Sequence, residues 1–375
     1  MQVVFSTVVR NTPPKQGGEV VSLDWDRKAV LAHLPIYASD PEIADPNPRG
    51  NTRGGRGIEI FDNRVVVASY HTLKIYDREL HHQRDVSHPW MVNIHETYSN
   101  SGGKIWVAAT AIDTAFEVDL QNGEAVRQFW PREQAGFQSA LNLTPLQIDK
   151  SADNRSLFLS RKYIQHPSHL HLNAIASWQG DMYALFHAPG VIANLDREEV
   201  VIEDPALRGG HNLLIKEDGT AIANDTYGGT VRFYNLRTRS FLKAINLKDF
   251  DLVRELVRWP ALTYPVRRST GNMLIRISSY VASRRTRRGG AGTSMAGTKN
   301  LWMGQSRART LLTNLIWPPR PLFVRGLDRL GDLLFVGVSP ATILCIDERQ
   351  GELVDAYSYS RNVGMCIHGL RVVGE

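Results

Sequence analysis

Four of the twelve histidines in this 375-residue chain open segments that read alike: His95 in HETY, His171 in HLNA, His211 in HNLL and His368 in HGLR. Two arginines, Arg56 in RGIE and Arg325 in RGLD, open two further segments of the same kind. Neutral imidazole is the commonest transition-metal ligand, and three or four imidazoles suit Zn, Fe, Cu or Ni better than Mg or Ca. Guanidinium groups pair with carboxylate, phosphate or sulfate. Glu96 beside His95 offers a carboxylate for proton transfer, and Asn173 near His171 offers an amide to orient a ligand. Three chemistries use such a set. One is a metal site on the imidazoles. A second is covalent catalysis, with one histidine as nucleophile and the arginines on an anionic group. The third is recognition of an anion without turnover. A structural alternative, imidazoles bonded to a column of water, uses the same residues as scaffold.

These residues are informative only if the fold brings them together, and an internal repeat supplies that fold. A short apolar strand ending in Asp or Asn, a polar turn and a second β-type strand recur six times. The first members are VVSLD, LKIYD, FEVDL, VIANLD, VRFYN and ILCID. Two more strands precede most copies, as in RGIEIFDNRVVVAS, HNLLIKEDGTAIAND and RGLDRLGDLLFVGV. Four antiparallel strands per unit make a propeller blade. The chain ends on MCIHGLRVVGE, read as an inner strand pair, and begins with hairpin strands, so joining the termini closes a ring and hides its edges. The expectation is all-β: a six-bladed propeller over 1–375, with insertions at about 132–168 and about 250–320. In that fold the six openers stand at the starts of the innermost strands, around one mouth of the central channel. His187, after a second strand, is also placed to face it.

The charge is localised. The chain carries a net +6, but no acidic residue falls between Glu255 and Asp328, an interval with thirteen Lys and Arg; subtracting these leaves the rest at −7. A basic insertion on an acidic body does not track phosphates, which argues against nucleic acid. The stretch 265–318 is expected to be partly helical, covering one mouth or docking a protein partner. Two cysteines exclude a disulfide scaffold, and neither a basic-then-apolar leader nor a run of about 20 apolar residues is visible. These features predict a soluble cytoplasmic protein without a membrane partner.

The succession HE, HLNA, GGHN and FVRGLDRLGDLLFVGVS resembles an uncharacterised bacterial family of six-bladed propellers with His-Leu-Asn and Arg-Gly-Leu signatures. The likeness runs from GGRGIEIFDNRVVVASYHTLKIYD to the terminal CIHGL. It implies the fold and brings no activity. A narrower likeness, over a few motifs, is to bacterial aryl-sulfate sulfotransferases, propellers that pass a sulfuryl group through a channel histidine. His171-Leu172-Asn173 matches their His-x-Asn pair, and His95 and His211 lie in comparable neighbouring blades. Those enzymes are exported, whereas no leader is visible here. Gluconolactonase-type propellers of the SMP-30 kind are similar more loosely, because they hold metal with carboxylates and amides.

The leading expectation is a metal-dependent enzyme acting on a small anionic organic molecule. Its metal, Fe or Zn, would sit on His95, His171, His211 and His368, with His368 the one spared for substrate. Arg56, Asn173 and Arg325 would bind substrate, and Glu96, His211 and His368 would carry the chemistry. The alternatives are sulfuryl transfer through His211 and a non-catalytic binding or scaffold propeller.

Overall fold

The computed structural model describes residues 1–12, 16–37, 39–40, 54–99, 102–156, 166–287 and 318–374, with the backbone alone for 275–287. Six four-stranded antiparallel sheets stand in a ring. Five are built from consecutive strands, and the sixth joins the C-terminal strand Met365–Val373 to the N-terminal strands Gln2–Val9, Glu19–Asp24 and Ala29–Pro35. The expected closure is therefore present, with one correction. The C-terminus contributes a single inner strand rather than a pair, because QVVFSTVV is itself the second strand of that blade.

The burial patterns explain why these residues form these strands. Strands in the second and third positions bury both faces and read as apolar runs, such as Arg64–Ala68 (RVVVA) and Thr342–Asp347 (TILCID). Outermost strands such as Ala29–Pro35 and Ser240–Asn246 are mostly exposed and mix charge with apolar residues. The core divides into six apolar clusters, one between each pair of neighbouring blades. One such seam sets Val66 and Ile75 against Ile94, Val107 and Phe116. Stability thus resides between blades, which leaves the axis to polar groups.

The innermost strands are Ile58–Phe61, Ile94–Tyr98, Leu172–Trp178, His211–Ile215, Phe323–Leu330 and Met365–Val373. Between the second and third blades the chain forms a 3-10 turn at Pro131–Glu133 and a helix at Ala135–Leu141 within the first expected insertion. The second insertion contains a 37-residue helix, Asp251–Arg287. Val253 in its first turn is buried, whereas Trp259, Leu262, Val266 and Met273 are exposed. The expected helical character holds as far as 287. Val253 in the first turn of this helix packs into an apolar seam of the ring, and the remainder of the expected lid, 288–317, lies outside the described residues. Among the described residues no helix is long and apolar enough to cross a membrane.

Candidate functional site in the propeller channel

Regular strands alternate their side chains between faces, so neighbours such as His95 and Glu96 should point apart. The inner strands that carry His95, His171, His211 and Arg325 avoid this by bulging next to the opener. Register slips occur between Ile94 and Thr97, Leu172 and Ala174, His211 and Leu213, and Val324 and Leu327. Asn212 and Gly326 adopt left-handed backbone there (φ 57° and 77°), which Asn and Gly tolerate best. Such bulges re-aim side chains, and here they turn both members of an adjacent pair toward the axis.

The imidazoles do converge. The ring of His95 lies 4.6 Å from that of His368, 4.8 Å from His211 and 6.2 Å from His171, centroid to centroid. One ligating atom from each of His95, Glu96 and His368 lies within 4.8 Å of the other two. The expected grouping is His95, His171 and His211, with His368 spared; the geometry sets His368 and Glu96 closest to His95 as potential ligands. His171, just before its bulge, has φ 55°, keeps some exposure and pairs instead with His187 at 4.4 Å. The carboxylate expected to act as a base, Glu96, belongs with His95 and His368. Two imidazoles and one carboxylate are a donor set for Fe or Zn.

The electrostatics fit that use. Burial holds His95, His171, His211 and His368 well below the ordinary imidazole value of 6.5, reinforced by one another and by nearby arginines. They are neutral, as a ligand must be. Four buried nitrogens have no hydrogen-bond partner: His95 Nδ1, His211 Nε2, and both Nδ1 and Nε2 of His368. Each such group costs about 1–3 kcal/mol if nothing fills its need. Asn212 Nδ2 donates to Glu96 Oε1 at 2.9 Å, and Asn212 Oδ1 accepts from Asn224 Nδ2 and the Gly326 amide at 3.0 and 2.9 Å. The carboxylate is thereby oriented. Burial pushes Glu96 up to about 8, with Arg371, Arg325 and Arg56 opposing.

His211 stands apart in its bonding. Its Nδ1 lies 2.9 Å from the Gly209 carbonyl, which can only accept, so Nδ1 carries the proton and Nε2 a bare lone pair. Thr226 Oγ1, 2.7 Å from the same nitrogen, donates onward to the Val324 carbonyl at 2.9 Å.

The arginines are more numerous than the sequence reading held. Arg56 is buried and donates from Nη1 to the Ile94 carbonyl at 2.7 Å. Arg325 and Arg10 are both buried and flank one ring, their guanidinium carbons 4.4 and 3.8 Å from the centroid of Phe323. Arg325 Nε and Arg10 Nη2 have no hydrogen-bond partner, and burial lowers Arg325 to about 9. Asn173 is tied differently from its expected substrate role. Its Nδ2 donates to the Gly210 carbonyl at 2.8 Å and lies 2.9 Å from His187 Nδ1, so it positions His187, while its Oδ1 has no partner.

Arg10, Thr226 and the role of Asn212 escaped the sequence reading. Arg10 lies past the end of an N-terminal strand whose partner is C-terminal, and no local spacing announces it. A second register was nonetheless available: a charged residue stands three positions after an opener in RGIE, RGLD and HGLR, giving Glu59, Asp328 and Arg371. A second three-residue metal-capable group among the described residues, Asp77, Glu79 and His81, is largely exposed on a hairpin turn, where Asp77 bonds the His81 amide and ring.

No protein-family model matches the chain, and no curated protein does. Among solved structures it is similar to a protein of unknown function from Bacteroides caccae, at 8% identity and TM-score 0.51, over 98% of this chain and 97% of that one. It is also similar to the Cps50 (Swd1) β-propeller domain of Myceliophteria thermophila, at 10% identity and TM-score 0.44 over 98% of each chain. The first likeness bears out the propeller fold and carries no activity across.

Proposed function

We propose that this chain is a metal-dependent enzyme that acts on a small anionic organic molecule at the histidine mouth of its channel. The observation that carries this reading is the convergence of buried, neutral, unpartnered imidazole nitrogens beside an oriented carboxylate. A transition metal, Fe or Zn, would be held by His95, Glu96 and His368. When bound it supplies Lewis acidity toward a substrate oxygen. Arg10, Arg56 and Arg325 would take the anionic group, and two of these buried cations, Arg10 and Arg325, have no ion-paired carboxylate among the described residues, which favours such a guest. His211, proton on Nδ1 and lone pair on Nε2, would serve as base. His171 and His187, nearer to solvent, would line the approach.

The bonding of His211 also favours a second reading, sulfuryl transfer of the aryl-sulfate sulfotransferase kind. There Nε2 attacks sulfur, an N–S bond forms as the aryl S–O bond breaks, and the phenolate leaves. We further place the chain in the cytoplasm, on its two free buried thiols. The basic helix is read as a surface for a protein partner.

Elemental analysis of purified full-length protein, after incubation with Fe(II) or Zn(II) and desalting, tests the lead. The expected result is about one metal per chain, lost in His95→Ala and in His368→Ala and retained in His171→Ala. Metal-free protein that moves sulfate from an aryl sulfate to a phenol would replace it with the second reading. Folded protein that does neither is a binding or scaffold propeller.

A further inference from the structure

Two cations at the histidine mouth are left without a counter-charge. Arg10 is 7% exposed and Arg325 9%, so each keeps a little access, and both guanidinium groups lie over Phe323. Among the described residues neither side chain forms an ion pair or donates a hydrogen bond, and Arg10 Nη2 and Arg325 Nε are buried without a partner. Glu96 is engaged elsewhere: it accepts from Asn212 Nδ2 at 2.9 Å and lies 3.5 Å from His368 Nδ1. Besides burial, the strongest influences on the Arg325 charge are Cys366, Arg10, Arg56 and Tyr227, none of them a carboxylate. Two of these four are cations that repel it.

The count of charges and donors sets the class of guest. A carboxylate or a sulfate ester carries a single negative charge and would leave one guanidinium unneutralised in a buried place. A phosphate monoester carries about −1.5 to −2 at pH 7, with three strong acceptor oxygens. Each guanidinium presents a planar fork that takes two oxygens in parallel. Two such forks exceed the two oxygens of a carboxylate, whereas a phosphoryl group has an oxygen to spare for them to share.

The surroundings suit the organic part. Tyr227 is 47% exposed, and its ring lies 6.1 Å from that of Phe323 and 6.3 Å from that of His187. The guanidinium carbon of Arg320 stands 4.0 Å from the Tyr227 centroid, a further cation that attracts anions toward this mouth. We propose that the group bound here is the phosphoryl dianion of a phosphate monoester, held by the forks of Arg10 and Arg325 with its organic part against Tyr227. This assignment rests on the reading of these arginines as the anion site, and it requires no metal.

Calorimetric titration of full-length protein with phenyl phosphate tests it, at pH 8 and fixed ionic strength with a chelator present. Phenyl sulfate has nearly the same shape and one charge fewer, and benzoate has one charge and two oxygens. The expected result is saturable binding of phenyl phosphate, at least tenfold tighter than either control. Arg325→Met and Arg10→Met should each weaken it by about tenfold or more, the loss of a charge-assisted contact. Either variant decides the matter if the other fails to fold. Arg258→Met, on the exposed side of the long helix, should leave binding unchanged. Phenyl sulfate or benzoate bound as tightly as phenyl phosphate would overturn the dianion and leave the anion reading standing. Phosphate binding unaltered in both arginine variants would overturn the assignment of the site. If none of the three bound, the anion reading would fall together with the proposal.

Discussion

The two ends of the channel solve the burial of charge in opposite ways. At the far end Arg371 is ion-paired to Glu59 and approaches Asp328, so its cation answers charges on neighbouring blades. At the histidine mouth Arg10 and Arg325 face the ring of Phe323, and no described carboxylate forms an ion pair with them. The far end is largely satisfied from within and holds blades together. The near end is provided with unmet donors and acceptors, as a site built for a guest must be. Glu96 and Asn212 sit where the two meet, bonded to each other at 2.9 Å.

Removing one arginine from each end breaks the comparison most directly. Arg371→Met strands Glu59 and Asp328, and uncompensated buried charge costs about 3–5 kcal/mol. The full loss is expected at pH 8 and a smaller one at pH 5, where the carboxyls can stay protonated. Arg325→Met removes a buried cation with no ion-pair partner among the described residues and keeps an apolar stem of similar length. Its stability should stay within about 1 kcal/mol of the parent while any anion binding disappears. Urea denaturation of both variants at the two pH values decides this. Similar losses from both would mean that the near-end charges are paired after all.

The ends should also respond to pH with opposite signs. Burial lowers His187 to about 4, so below 6.5 the unfolded chain takes up a proton that the folded chain refuses. Its contribution is complete above 6.5 and is lost as pH falls toward 4. Glu59, raised to about 7, behaves in reverse: its contribution is present below 4.5 and is lost as pH rises through 7. Each arm is on the order of 1–3 kcal/mol after allowance for coupling. The two windows overlap from about 4.5 to 6.5, so in metal-free protein the contributions oppose each other there and single variants are needed to separate them. Glu59→Gln should flatten the alkaline arm alone and His187→Asn should weaken the acid arm alone, read from unfolding free energies across pH 4 to 8. A single arm, or both arms shifted by one variant, would merge the two ends into one titrating unit.

The same asymmetry explains what could be read from the chain in advance. The blades were legible because each hairpin carries its own period-2 pattern and an Asp or Asn turn, so six weak signals reinforce one another. Arg56, His95, His171, His211, Arg325 and His368 were legible because they share one register at the strand starts. The pairing of His95 with His368 and Glu96, rather than with His171 and His211, was not. It depends on the bulge between Ile94 and Thr97 and on the turn at His171, and one-residue register shifts leave no compositional trace. Arg10 is set against Phe323 by ring closure, a contact across more than three hundred residues of sequence. Glu59, Asp328 and Arg371 did leave a pattern, but a charge in the middle of a strand ordinarily reads as a solvated face.

The smallest expected effect separates the two uses of the near end. Thr226 Oγ1 accepts from His211 Nδ1 and passes its own proton to the Val324 carbonyl, linking the His211 ring to the next blade. Thr226→Val keeps the shape and removes both bonds. His211 loses one of two acceptors, the Gly209 carbonyl remains at 2.9 Å, and the tautomer stays fixed. A stability loss of about 1 kcal/mol is expected, with metal uptake by His95, Glu96 and His368 unaltered. The ring is less firmly aimed, so turnover that uses Nε2 should fall by roughly tenfold, in kcat more than in KM. Histidine nitrogen chemical shifts report the tautomer, and elemental analysis reports the metal. If Thr226→Val emptied the metal site, His211 would have to join the ligands, and its separate role as base or nucleophile would be withdrawn.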